Sequence, residues 1–598
     1  MDSYSVLYSS AHRTGLLSGF QRLRSEGKMC DVVLVAGGVS FPCHRALLAS
    51  SSEYFWALFG DTTAERLAGS VRLPALTSEG LDAVLDFLYS GWLSLSPPTL
   101  PMVLESARYL QVETAVSICE RFMIDGLGAP TCCSYANLAE RHALPDALEA
   151  ANQTIAMEMG TLLQKTRGDL LELNLQSLMA VLDAHEIPGV KEMELVKLVL
   201  DWLDGNGPLP LLKSNLLLSR LRFGLVSALD LAHLNHRAMA TPLIRSQLTR
   251  ALEYHRVVPT QPVRQSRQST LRASPGRVLL VGGGPSADWP DQQVLAFDYR
   301  SRRFSALSSR LPLRLRNHCV CSVGGFLFVI GGEEVQEGDD DGKKCFTAAA
   351  SNQVWRYDPR FDCWVQVASM LERRAQFGCC VVGDVIHAVG GRQTHASAPV
   401  SLASVESLDL STGTWRRGAA MPRPLYGHAA AVLHGRIYVS GGRPGNQDCI
   451  HSSNDPDNQD ENRHSTREVL CWDLKGRVWE KRAPMSIARF SHRLAAVHNY
   501  MYALLGMYEP FCDIERYDAQ SDHWVRLKPL LIGSFNYGVA PTPSGNLLIF
   551  GGRRWSHGQE VIVKTVLEYD PKKDQWREIS QLPRPLTGTE CTLLPLPD

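Results

Sequence analysis

Two hydrophobic rhythms divide this chain. In the N-terminal part, apolar residues recur at helical spacing. Leu16, Leu17, Phe20 and Leu23 share one face, as do Leu195, Leu198, Val199, Trp202 and Leu203 in ELVKLVLDWLDG. From residue 277 onward they gather in short runs closed by small residues, as in FLFVIGG, VIHAVGG, RIYVSGG and LLIFGG. Such runs predict short buried strands, and their glycine pairs predict chain reversals where backbones crowd. Near the N-terminus the rhythms mix. VVLV and VSFPC predict a hairpin turning at Ala36–Gly38, two short helices follow, and GLDAVLDFLYSGWLSLS predicts a helix stopped at Gly91 and then a short strand.

The strand region repeats. Glycine pairs stand at Gly282–Gly283, Gly331–Gly332, Gly390–Gly391, Gly441–Gly442 and Gly551–Gly552, with Leu504 to Gly506 as a degenerate member. An aspartate lies downstream of each, and an aromatic follows six residues later: Asp298/Phe304, Asp358/Trp364, Asp409/Trp415, Asp473/Trp479, Asp518/Trp524 and Asp570/Trp576. The aspartate suits a turn between outer strands, and the aromatic suits a plate buried between neighbouring sheets. A spacing of roughly 45–50 residues is that of a four-stranded propeller blade. The first copy lacks its leading strand and LTGTECTLLPL supplies one at the far end, so the last strand is expected to close the ring through blade one. Two polar insertions, at 333–344 and 443–467, carry no periodicity and read as flexible loops.

The repeat text, for example RYDPRFDCWVQVASM and ERYDAQSDHWVRLKPL, resembles the kelch family over 277–598. The ordered set of Cys30–Val32, His44–Arg45, LLASSSEYF and Asp86–Gly91 is similar to the BTB/POZ domain over 10–125, and the helical stretch 130–252 is similar to the BACK domain. Asp31 and His44 read as structural hydrogen-bonding residues of that fold. Residues 255–276 hold four Arg, three Pro and no acid, and read as an exposed linker. The expected fold class is therefore multidomain: an α/β BTB/POZ domain, an all-α BACK domain and a six-bladed all-β kelch propeller.

Composition removes other functions. The 61 basic and 62 acidic residues nearly cancel, giving no reason to expect nucleic acid or a membrane surface as partner. The N-terminus does not read as a signal peptide and the apolar runs are too short to span a bilayer, so the fifteen cysteines read as reduced thiols and the location as cytoplasmic. There is no phosphate loop, nucleophile elbow or zinc-ligand set, and no cofactor or metal is expected. His318, His428 and His492 recur at equivalent places in the repeats, which explains them without a metal.

What remains is binding. The kelch resemblance places Arg316, Asn317, Arg374, Gln376, Tyr426, Arg489, Ser491, Asn536 and Tyr537 on the rim that takes a protein substrate. Arginines and tyrosines there suit an acidic or aromatic segment. The order BTB, BACK, kelch resembles the kelch-like family and implies a non-catalytic adaptor of a cullin-3 ubiquitin ligase that dimerises through BTB. The resemblance places cullin contacts at Thr63 and Glu65, with Phe55 and Leu58 as apolar support. Thr63 stands where the family carries a large apolar residue. The alternative is a BTB-dimerised scaffold for cytoskeletal or signalling proteins, without ubiquitin transfer.

Overall fold

A computed structural model describes residues 10–598 except 61–67, 208, 235, 257–260, 262, 264, 273–275, 286–289, 341–342, 395–399, 445–464, 475, 507–511, 531–532, 557–558 and 597–598. Contacts divide it into two units, Met1–Leu221 and Arg222–Asp598.

In the first unit, helix Ser10–Ser25 precedes the hairpin Val32–Ala36/Val39–Cys43. The third strand of this sheet is Ser70–Arg72, parallel to Val32–Ala36. The expected strand after Gly91 does not form. Gly91 takes a left-handed φ of 76° and ends helix Ser78–Ser90, and the residues that follow carry no ladder. Asp31 accepts the amide of Arg45 (2.8 Å). The buried His44 ring meets the Tyr89 hydroxyl through Nδ1 (2.9 Å) and the Lys28 carbonyl through Nε2 (3.1 Å). Both residues hold the fold, as expected. The rest of the unit is helical, and Glu192–Gly205 buries Leu195, Leu198, Val199, Trp202 and Leu203.

The second unit carries six four-stranded antiparallel sheets. Their innermost strands, Glu590–Leu594, Cys319–Val323, Gly378–Val382, Ala429–Leu433, Arg493–Val497 and Gly538–Pro541, neighbour one another in that order and return to the first, which closes a six-bladed propeller. Blade one is completed by the C-terminal strand, Glu590–Leu594 pairing with Arg277–Val281 as the sequence predicts. No ladder edge is left open at the join.

The repeat landmarks hold the blades together. Asp298, Asp358, Asp409, Asp518 and Asp570 each accept the backbone amide two residues on. The indole of Trp415 donates to the Ala368 carbonyl of the preceding blade (2.8 Å), and Trp479, Trp524 and Trp576 repeat this on Ala419, Ala483 and Lys528 (2.9–3.0 Å). The aromatic is thus both a plate and an inter-blade staple.

Two sequence expectations need correction. The insertion at 333–344 is not a loop: Glu333–Asp340 and Lys343–Ala350 form a long hairpin that continues a ladder begun at Leu315–Arg316. Of the second insertion, Arg443–Pro444 pairs with Leu425–Tyr426, and 445–464 lie outside the described residues. The linker is not exposed throughout either. Gln261, Val263, Ser269 and Arg272 are buried, the first three of them in contact with the propeller.

Candidate binding mouth of the propeller

At the start of every innermost strand, one residue adopts a left-handed backbone: Asn317, Gln376, Gly427, Ser491, Asn536 and Gly588, with φ between 50° and 74°. Four of the six links between them are backbone hydrogen bonds. Gln376 donates to Asn317, Gly427 to Gln376, Ser491 to Gly427 and Gly588 to Asn536 (2.7–3.0 Å). These residues circle a narrow cavity of about 50 Å³. Arg493 and Glu590 line it too and form an ion pair across the channel. Burial pushes the Glu590 carboxyl up, against the pull of Arg493.

Below this ring the next residue of each blade turns inward: His318, Phe377, His428, His492, Tyr537 and Thr589, all buried. Burial holds His318 and His428 down at about 4 and also depresses His492 well below its ordinary value. His428 Nε2 donates to the Val389 carbonyl (3.0 Å) and His492 Nε2 meets the Ser440 hydroxyl (2.7 Å). These are neutral core imidazoles, consistent with their place in the repeat.

The rim expected from sequence divides. Asn317, Gln376, Ser491 and Asn536 meet at the ring, and Arg316 and Tyr426 stand beside it, half-buried. Arg374, Arg489 and Tyr537 do not reach the mouth. Arg374 is 0% exposed, bonded to Glu406 Oε1 (2.6 Å) and the Gly390 carbonyl (2.8 Å). Arg489 repeats this with Glu515 (2.9 Å) and the Leu505 carbonyl (2.6 Å), and Tyr537 donates its hydroxyl to the Leu504 carbonyl. The left-handed residue two positions after each arginine reverses the chain, leaving the arginine between blades while Gln376 and Ser491 face the channel. Of the cullin-facing set, Phe55 is fully buried in the domain core and Leu58 packs half-buried against it, so Phe55 offers no surface. Thr63 and Glu65 lie outside the described residues.

The structure adds residues the sequence reading missed. The residue directly after each glycine pair pairs with the chain entering an innermost strand: Gly284 with Thr587, Glu333 with Arg316, Arg392 with Ala375, Arg443 with Tyr426 and Arg553 with Phe535. Its position after the pair is a signal that the sequence carried. Glu333, 1% exposed, takes Arg316 Nε (2.7 Å) and Asn317 Nδ2 (3.1 Å) on one oxygen and Arg392 (3.4 Å) on the other. The Arg392 guanidinium lies over the Tyr426 ring (5.6 Å), Tyr426 meets Phe490 edge-on (5.6 Å), and Arg443 covers Phe490 (4.4 Å). An arc of cations and aromatic rings therefore runs over blades two to five. Arg553, salt-bridged to Glu560 (2.8 Å), adds a cation on blade six. Such an arc can hold a carboxylate beside an aromatic or aliphatic side chain.

Comparisons with known proteins agree with this architecture. The family model for the BTB/POZ domain matches residues 20–127, that for BTB And C-terminal Kelch matches 132–236, and that for the KLHDC2/KLHL20/DRC7 Kelch-repeats domain matches 245–442. Kelch motifs match 424–486 and 537–583. Human Kelch-like protein 34 is 37% identical, over 99% of this chain and 97% of its own length. Kelch-like protein 36 of Bos taurus is 32% identical over 99% and 94%, and Kelch-like protein 15 of Danio rerio 27% over 99% and 97%. With the three domains in this order and a relative of that identity along the whole length, the chain belongs to the kelch-like family.

Proposed function

We propose that this protein is a cytoplasmic substrate adaptor of a cullin-3 RING ubiquitin ligase. Its BTB domain dimerises and binds cullin-3, and its propeller mouth captures the substrate. The chain performs no covalent chemistry. It raises the effective concentration of a substrate lysine beside the charged ubiquitin-carrying enzyme, and dimerisation adds avidity. The observation that carries the capture half is the arc of Arg316, Arg392, Tyr426, Phe490 and Arg443 beside the channel. Its charge suits an acidic segment with an apolar neighbour. Thr63 favours a second reading, a dimeric scaffold without ubiquitin transfer, because a polar residue stands where an apolar cullin anchor is expected.

Proximity labelling in cells with the full chain, compared with an Arg392→Glu/Arg443→Glu variant, tests capture at the mouth. The expected result is loss of a distinct set of labelled proteins, with cullin-3 labelling unchanged. Identical sets from both chains would contradict capture at this mouth.

A further inference from the structure

Residues 255–276 read as a spacer in the sequence, but the described part is fastened to blade two. Arg360 stands in the turn opened by Asp358, whose carboxylate it grips through Nε and Nη2 (2.7 and 2.6 Å). Its other donors leave the blade. They reach the Tyr254 hydroxyl and the Gln265 side chain, and more distantly the Ser269 carbonyl and the Gln261 side chain (both 3.3 Å). Arg356 adds a bond to the Gln261 carbonyl (3.2 Å). Both guanidinium groups lie over the Phe326 ring, at 4.5 and 4.6 Å. Val263 enters the core shared by blades two and three. Upstream, Gly224 donates to the Gln268 carbonyl (3.1 Å) and Arg222 to that of Thr270 (2.7 Å). Helix Pro242–Arg256 ends against the same turn, with the His255 ring edge-on to Phe361 at 5.1 Å.

We infer that the described residues of 261–272 form a clasp that makes helix Pro242–Arg256 and the propeller move as one body, with Arg360 as its positioning residue. The clasp fixes the direction of the capture mouth relative to the helix that leads into the propeller. Among the described residues Val263 is its one buried apolar side chain, and its other contacts to the blade are hydrogen bonds from Arg356 and Arg360 rather than apolar packing. It therefore opens by local unfolding well before the blades do.

A matched pair of glycines isolates the contact. Gly324 and Gly383 occupy the same hairpin turn in blades two and three, and both have φ of 60°. A Cβ on Gly324 would overlap the Val263 carbonyl, whereas one on Gly383 would meet nothing within 4 Å. Alanine thus strains both turns alike but displaces the clasp at Gly324 only. Hydrogen exchange of the full chain reads the amides of Gly224, Ser269 and Thr270, all hydrogen-bonded at or to the clasp. Gly324→Ala is expected to speed their exchange at least about tenfold, a shift of about 1.4 kcal/mol in the opening equilibrium, while Gly383→Ala leaves it unchanged. Val263→Ser, which alters no blade residue, should reproduce the effect if Gly324→Ala lowers expression. Equal exchange in the two glycine variants, or unprotected amides in the wild type, would overturn the clasp.

Discussion

Arg374 and Arg489 show how one position can be solved in two ways. The residue whose carbonyl accepts the second glycine of the preceding pair is Arg374 in blade three, Leu425 in blade four and Arg489 in blade five. Facing it on the third strand are Glu406, Leu470 and Glu515. The arginine appears with the glutamate and leucine with leucine, so the pair is a unit. Removing one buried partner leaves the other charge uncompensated and costs about 3–5 kcal/mol, whereas an apolar pair of similar volume is often neutral. Arg374→Leu is therefore expected to lower the propeller's melting temperature sharply, and Arg374→Leu with Glu406→Leu to restore most of it. A double variant no better than the single would contradict this. The imidazoles carry a pH prediction. His318 and His428 are held at about 4 against an ordinary 6.5, so they stay neutral in the fold while the unfolded chain binds their protons. The stability they contribute is present above about pH 6.5 and falls as pH drops toward 4. Because Phe377 holds the same place in blade three, His428→Phe should flatten this slope in urea unfolding followed from pH 7.5 to 4.5.

At the scale of elements, the closing strand and the indole staples should dominate. A chain ending at Pro585 loses Glu590–Leu594 and leaves Arg277–Val281 with an open edge. It is expected to aggregate on expression, and a monomeric product with the wild-type melting temperature would refute ring closure by that strand. Trp415→Phe keeps the plate but loses the bond to Ala368, so a cost of about 1 kcal/mol is expected. Much of this scale was legible. The fixed spacing from aspartate to aromatic located every blade, and the missing first strand located the closure. The hairpin at Glu333–Ala350 was not legible, because its order comes from backbone pairing to Leu315–Arg316 rather than from an apolar period. The clasp was hidden for a related reason. An arginine-rich stretch without acids reads as solvated, and its acceptor-hungry partners, Arg356 and Arg360, lie about ninety residues further along. The buried arginines misled because burial was decided by glutamates about thirty residues away, although the alternation with Leu425 and Leu470 was already in the repeats.

For the whole molecule, family membership accounts for the three domains, and the mouth supplies a chemistry for capture. The joint between them is the proposed cullin contact at the BTB domain, where Phe55 belongs to the core and Thr63 stands at the position expected to hold an apolar anchor. The loss of such an anchor is worth roughly 1–2 kcal/mol, about tenfold in affinity, and weakens a contact without abolishing it. Co-precipitation of endogenous cullin-3 with the full chain, its Glu65→Ala variant and its Thr63→Leu variant tests the adaptor account most directly. The account predicts recovery of cullin-3 with the natural chain, more with Thr63→Leu and none with Glu65→Ala. Recovery with Thr63→Leu alone would contradict it.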